Sequence, residues 1–188
     1  MPISTIKIPG GKELIDAKEV LEKVGIEEKM KVADLGCGYR GYFTLQAAKL
    51  VGARGLVYAV DVLKSALESV KSLASLYGVD NIHALWADLE VAGSVKIEDG
   101  SIDLAMLNNI FFQTKKADIV LREAARILKK DGKLLVTIWK KAGAPFGPPV
   151  EARTTPEEVK ENARNAGLTL EKEFESGPYH FSLVFVKK

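Results

Sequence analysis

The residues most able to do chemistry in this chain lie on either side of one short strand. Val32-Ala33-Asp34-Leu35 runs into Gly36-Cys37-Gly38-Tyr39-Arg40-Gly41, and Tyr42-Phe43 then open a helical pattern. Glycines at a strand-to-helix turn let the backbone approach a ligand closely, and the unpaired N–H groups and dipole of a helix start favour a carboxylate or phosphate. About twenty residues after Gly41, where a second strand ends, Asp61 is placed to accept both hydroxyl protons of a ribose. The bland alternative is a tight packing turn with Asp61 as a helix cap. Together the two features favour a nucleoside-containing ligand.

Spacing alone leaves the kind of nucleoside open, because Gly36, Gly38 and Gly41 with Asp61 also satisfy a dinucleotide-binding fingerprint. Asp34, two residues before the first glycine, separates the readings: its charge repels a pyrophosphate and attracts an ammonium group. S-adenosylmethionine offers an ammonium, a carboxylate, a ribose and an adenine. NAD, in an oxidoreductase, is the competing ligand.

These residues need a scaffold that alternates strands and helices. Leu14, Ala17, Val20, Leu21 and Val24 have helical spacing before Gly25, predicting a helix from Glu13 to Val24 within an N-terminal helical segment, residues 1–30. Strands are expected at 32–35, 55–60, 81–86, 102–107 and 133–139, with helices at 43–51, 63–77 and 114–128 between them. Thr155-Pro156-Glu157-Glu158 marks the start of a further helix, running to about Ala166. Leu168 to Glu175 and Tyr179 to Val186 are joined by Ser176-Gly177-Pro178, too short for a parallel crossover, so they should pair antiparallel. Lys141 to Arg153, rich in Gly and Pro, is expected to form a lid or substrate-side loop.

Composition bounds the rest. The chain has 188 residues, 47% apolar and 28% charged, which is ordinary for one globular domain (1–188) with a core that needs no disulfide. No apolar run reaches the ~20 residues of a membrane span, and Met1-Pro2-Ile3-Ser4-Thr5 lacks the basic-then-apolar pattern of a signal peptide, so a cytoplasmic protein without membrane insertion is expected. One cysteine, Cys37, and two histidines, His83 and His180, leave no expected metal site. The net charge of +2 gives no general pull toward nucleic acid.

The chain resembles the class I S-adenosylmethionine-dependent methyltransferases over nearly its whole length. Asp34-Leu35-Gly36-Cys37-Gly38 is similar to the family's first motif, Val57-Tyr58-Ala59-Val60-Asp61 to its ribose-binding strand end, and Ala87-Asp88-Leu89 to the turn near the adenine. Ile102 to Asn108 resembles its fourth strand, and Leu128 to Leu134 the approach to its fifth. Pro145-Phe146-Gly147-Pro148-Pro149, Arg153 and the Thr155 helix start look like the small stand-alone enzymes related to quinone-biosynthesis methyltransferases. The resemblance implies an α/β, Rossmann-like fold: a seven-stranded mixed sheet with an antiparallel last strand and helices on both faces. It also implies that Asp34 and Gly36 address the methionine ammonium and carboxylate, with Gly38 and Gly41 shaping the turn. Asp61 would hold the ribose, Val62 and Leu63 an adenine face, Asp88 the adenine amino group, and Asn108 the cofactor's edge. Tyr42, Asn108, Asn109 and the Phe146 loop are the candidates for the acceptor side. The pattern departs from the family at Tyr39-Arg40, where the turn has one residue more, and at Asn108 to Phe112, where relatives often carry a histidine.

Much of the catalysis in such an enzyme is alignment and water exclusion, since the sulfonium donor is already activated. The reading is methyl transfer to a small-molecule acceptor by a monomer or homodimer. The alternatives are an RNA or protein methyltransferase, a non-catalytic S-adenosylmethionine-binding protein and an NAD-dependent oxidoreductase. Lys115, Arg122, Arg126 and Lys129 share one helix face and form either a basic stripe for RNA or an ordinary solvated surface. His83 is expected to be packed in its strand, His180 to lie on the surface, and Cys37 to serve packing.

Overall fold

The computed structural model describes residues 14–141 and 147–188. Its elements, in chain order, are α1 (Ala17–Val24), β1 (Lys31–Leu35), α2 (Tyr42–Val51), β2 (Leu56–Asp61), α3 (Lys64–Leu76), β3 (Ile82–Trp86), β4 (Ile102–Asn108), α4 (Ala117–Ile127), β5 (Leu128–Trp139), α5 (Pro156–Asn165), β6 (Leu168–Glu175) and β7 (His180–Lys187). The seven strands form one sheet in the order β3-β2-β1-β4-β5-β7-β6. β1 to β5 pair parallel, and β7 is antiparallel to both β5 and β6. This is the Rossmann-like methyltransferase architecture, including the expected terminal hairpin.

Side-chain alternation along the strands divides the interior. Val32, Val57, Leu104, Met106 and Leu135 face α1 and α2, packing with Leu21, Phe43, Ala47 and Val51. Ala33, Leu35, Val60, Ala105 and Leu107 face the other way and pack with Val120, Leu121 and Ala124 of α4 and Val159 and Ala163 of α5. Leu67 and Val70 of α3 pack over Ala59 and Cys37. A two-residue strand period with both faces covered is what a buried parallel sheet requires. The strand order also reverses at β1, between β2 and β4, which leaves a crevice at their carboxyl ends.

Local signals set the element ends. Asp16 caps α1 by accepting from the Lys18 and Glu19 N–H groups, so the helix begins at Ala17, later than its apolar spacing suggested. Thr155 and Glu158 form the expected reciprocal cap on α5. β5 starts as soon as α4 ends: Ile102 pairs with Leu128 but Leu104 with Lys133, so residues 129–132 bulge out between them. Gly132 fits there because a Cβ would lie 2.9 Å from the Lys129 carbonyl.

One expectation is corrected here, and one alternative that the sequence left open, the basic stripe for RNA, is removed. His83 is exposed on edge strand β3, standing edge-on to Tyr58 with ring centroids 6.0 Å apart. β3 has only one strand neighbour and is covered less than the central strands, so the apolar residues around His83 do not bury it. The basic stripe on α4 is also broken, because Arg126 turns inward to Glu123 (2.7 Å) and donates to the carbonyls of Val95 (2.8 Å) and Ile97 (3.0 Å). Lys129 pairs with Asp103. Among the described residues, no helix is long and apolar enough to cross a membrane. Residues 1–13 of the N-terminal segment lie outside the described residues, as do 142–146 of the proposed lid, Phe146 included.

Candidate functional site

β1 delivers Asp34 to the sheet's carboxyl edge, where it is 2% exposed. Its Oδ2 accepts from the Thr44 hydroxyl at 2.6 Å, while Oδ1 has no hydrogen-bond partner. Burial pushes the carboxyl up to about 6, against the opposing pull of Thr44 and Asn108. The Asn108 amide faces this carboxylate without a hydrogen bond of normal geometry, and its nitrogen and oxygen are both buried and unpaired. An ionised carboxylate and an amide left so in an apolar interior call for a partner, and a cation suits the first.

The turn beyond β1 is held from β2. The Gly36 and Cys37 N–H groups both donate to the Val60 carbonyl, at 2.8 and 3.0 Å. The Gly38 N–H donates to Asp61 Oδ2 at 2.9 Å, and the Leu63 N–H to Asp61 Oδ1 at 2.9 Å. Each Asp61 oxygen thus takes one backbone donor and keeps acceptor capacity for another. The three glycines serve different ends. A Cβ on Gly36 would lie 2.7 Å from Ile110 Cγ2, and one on Gly41 2.9 Å from Val70 Cγ2, so both make room for neighbouring side chains. Only Gly38 faces open space, with φ +62°, leaving its backbone approachable.

Tyr39, half exposed, exchanges a 2.8 Å hydrogen bond with Ser65 and so lies along α3. Cys37 is buried, and burial together with the Asp34 and Asp61 charges pushes its thiol up, which keeps it a neutral packing group. Val62 and Leu63 are each 49% exposed after β2, an apolar surface at the sheet edge. Trp86 Nε1 donates to the Val62 carbonyl at 2.8 Å and borders them. Asp88 accepts from the Glu90 N–H at 2.9 Å and caps its own turn.

The acceptor-side candidates do not all meet. Tyr42 donates its hydroxyl to the Ile15 carbonyl at 3.1 Å, directing it to the chain entering α1. Asn109, in the left-handed region at φ 55°, instead turns toward β7, where its Nδ2 lies 3.1 Å from His180 Nε2. His180 is 1% exposed, which overturns the expected surface position. The register of the terminal hairpin sets it opposite Trp139, and the two rings lie 4.2 Å apart. Burial holds the His180 ring down to about 4. Arg153, with its guanidinium 5.5 Å from the Trp139 ring, donates to the carbonyls of Pro148 (3.0 Å) and Lys140 (2.8 Å). Sequence reasoning missed Thr44, Ile110, Trp139 and His180 as parts of this site. Only the Trp139–His180 pairing left a trace, in strands whose register the sequence does not state.

Residues 26–179 match the sequence profile of a methyltransferase domain. The chain belongs to this methyltransferase-domain family. A SAM-dependent methyltransferase from Aquifex aeolicus superposes on this family member with a TM-score of 0.88 and 27% identity, over 96% of this chain and 94% of that one. Aklanonic acid methyltransferase DauC of Streptomyces sp. (strain C5) is 29% identical over 143 residues, which is 75% of this chain and 60% of the relative. Arsenite methyltransferase of Aquipseudomonas alcaligenes is 34% identical over 108 residues, 55% of this chain and 31% of that enzyme. The methyltransferase-domain chain therefore spans three fifths or less of the length of these two curated relatives.

Proposed function

We propose that this protein binds S-adenosylmethionine at the carboxyl ends of β1 and β2 and transfers its methyl group to a small molecule. The observation that carries the reading is the buried, unpartnered Oδ1 of Asp34 at the head of the glycine turn. A methionine ammonium supplies the cation it lacks, whereas a pyrophosphate in the same place would be repelled. The other residues fit the same ligand. Gly38 leaves room for close backbone approach, Asp61 retains acceptor capacity for ribose hydroxyls, and the exposed Val62 and Leu63 can cover an adenine face. Asn108 has an amide to spare for the methionine end, and Asp88 stands at the adenine-side turn.

Bound S-adenosylmethionine supplies a methyl group already activated on a sulfonium. The chain's own task is then to orient the donor, hold an acceptor in line with it and exclude water. Asp34 would fix the amino-acid end, Asp61 the ribose, and the Asn108–Ile110 segment would separate donor from acceptor. Arsenite as the acceptor is disfavoured: soft arsenic calls for several thiolates, and the chain has one cysteine, buried and neutral.

Calorimetric titration with S-adenosylmethionine, S-adenosylhomocysteine and NAD tests the reading. Binding of both adenosyl ligands, weakened at least tenfold by Asp34→Asn, supports it. Binding of NAD alone would overturn it.

A further inference from the structure

The last residue of β4 and the two that follow it point in different directions. Asn108 faces Asp34, and Ile110 lies back over Gly36. Between them Asn109, at φ 55°, turns toward β7, a conformation that asparagine tolerates better than most residues. Its backbone N–H donates to the Thr137 carbonyl at 2.8 Å, and its own carbonyl accepts from Gln113 Nε2 at 3.3 Å. The side-chain Nδ2 meets His180 Nε2, while Oδ1 is shielded from water and has no partner. One left-handed residue thereby sets a polar atom on the side of the segment away from Asp34.

His180 decides which end of the amide points where. The ring packs on Trp139 and is neutral at physiological pH, because burial and the positive charges of Lys140 and Arg153 disfavour a proton. His180 Nδ1 is buried without a hydrogen-bond partner, and the Asn109 Nδ2 set against Nε2 puts the ring's single N–H on Nδ1. Nε2 is then the acceptor for the Asn109 NH2, which leaves Oδ1 free. Beside Asn109 is a cleft bounded by Phe111, Phe112, Ile138, Trp139, Arg153 and Thr154, barely wide enough for one water. Phe112 is only partly buried and is the wall that an entering ligand would displace.

We propose that Asn109 Oδ1 recognises the methyl acceptor by taking a hydrogen bond from a hydroxyl or N–H group on an otherwise apolar, ring-bearing molecule, and that His180 is the positioning residue that holds the amide for it. This rests on the methyltransferase reading for the word acceptor, though not for the binding itself. The aromatic cleft sets the apolar character and the lone oxygen sets the donor requirement. An analogue lacking the donor leaves that oxygen buried and unpaired, which is how polar sites discriminate.

The test titrates 2-naphthol and its methyl ether, 2-methoxynaphthalene, into the full chain saturated with S-adenosylhomocysteine. The wild type is expected to bind the naphthol at least tenfold tighter. Asn109→Gly, which keeps the left-handed backbone accessible, is expected to bring the two within twofold, and His180→Phe to reduce the preference while leaving S-adenosylhomocysteine affinity unchanged. Nitrogen-15 NMR of labelled histidine should show the Nδ1–H tautomer of His180 from pH 8 to 5. No preference in the wild type, no naphthol binding, a preference retained in Asn109→Gly, or an Nε2–H tautomer each overturns the proposal. If His180→Phe does not fold, the glycine variant and the tautomer still decide. Failure of S-adenosylhomocysteine to bind would sink the cofactor reading instead, and the naphthol pair, titrated without it, would still report on Asn109.

Discussion

Asp61 Oδ2 accepts the Gly38 N–H at 2.9 Å, so a carboxylate at the end of β2 fastens the turn at the end of β1. Its other oxygen takes the Leu63 N–H, also at 2.9 Å. Asp61→Ala is therefore expected to cost about 1–3 kcal/mol of stability by stranding two donors, besides weakening S-adenosylmethionine binding more than tenfold. Asp61→Asn, which keeps one acceptor, should regain part of the stability and little of the affinity. Thermal melts paired with calorimetry separate the two effects.

Asp34 sets stability against binding. A carboxyl raised from 3.8 to about 6 by burial destabilises the ligand-free fold at neutral pH by about 3 kcal/mol. Asp34→Asn removes that charge, so the variant should melt higher than the wild type and yet bind S-adenosylmethionine at least tenfold more weakly. Equal affinity in the variant would remove the carboxylate from the binding site.

Acid exposes two opposed titrations. His180 is held near 4 in the fold against 6.5 unfolded, so its contribution is complete above pH 6.5 and is lost as pH falls toward 4. Asp34 behaves in reverse: its folded value of about 6 lies above 3.8, so the fold gains stability as pH falls through that window. Urea midpoints at pH 4.5, 5.5 and 7 should change less in the wild type than in Asp34→Asn, which loses the compensating gain and should weaken more steeply in acid. Affinity for S-adenosylmethionine should fall about tenfold per pH unit below 6, as the Asp34 charge is lost.

Two glycines two residues apart should fail differently. Gly36→Ala drives a methyl into Ile110 at a φ of +89°, which should cost about 1–3 kcal/mol, and Ile110→Ala in the same chain should return part of it. Gly38→Ala meets no atom, so only the left-handed backbone is strained, at about 1 kcal/mol. The loss there should fall on ligand affinity. Denaturation and titration of both variants distinguish a packing glycine from an approach glycine.

Arg126 is expected to matter for folding and not for nucleic acid. Arg126→Met leaves Glu123, itself 4% exposed, without its cation and the Val95 and Ile97 carbonyls without their donor, a loss of about 3–5 kcal/mol. Arg122→Met, on the same helix, should change stability by less than about 0.5 kcal/mol. Chemical denaturation of the two checks the contrast.

Much of this was legible along the chain because its signals are local. The glycine turn, the Thr155 cap, the two-residue period of the strands and the short Ser176-Gly177-Pro178 link each act over a few residues, and together they dictated alternating elements, a mixed sheet and an antiparallel end. Asp34 and Asp61 were placed correctly at strand ends for the same reason. The sequence also carried enough of the family's pattern to place the chain among methyltransferase domains.

What lay beyond it depended on contacts between distant residues. His180 and Asn109 are 71 positions apart, and nothing local says that β7 slides alongside β5 until His180 meets Trp139. A one-residue change of register would turn His180 to the other face of the sheet. His83 is exposed and His180 buried although both have apolar neighbours in sequence, because β3 is an edge strand and β7 is paired on both sides. The roles of the three glycines were likewise decided by Ile110 and Val70 arriving from other elements. Local chemistry thus chose the fold and set Asp34 and Asp61 at their strand ends, while burial and the meeting of Asn109 with His180 were set by long-range packing.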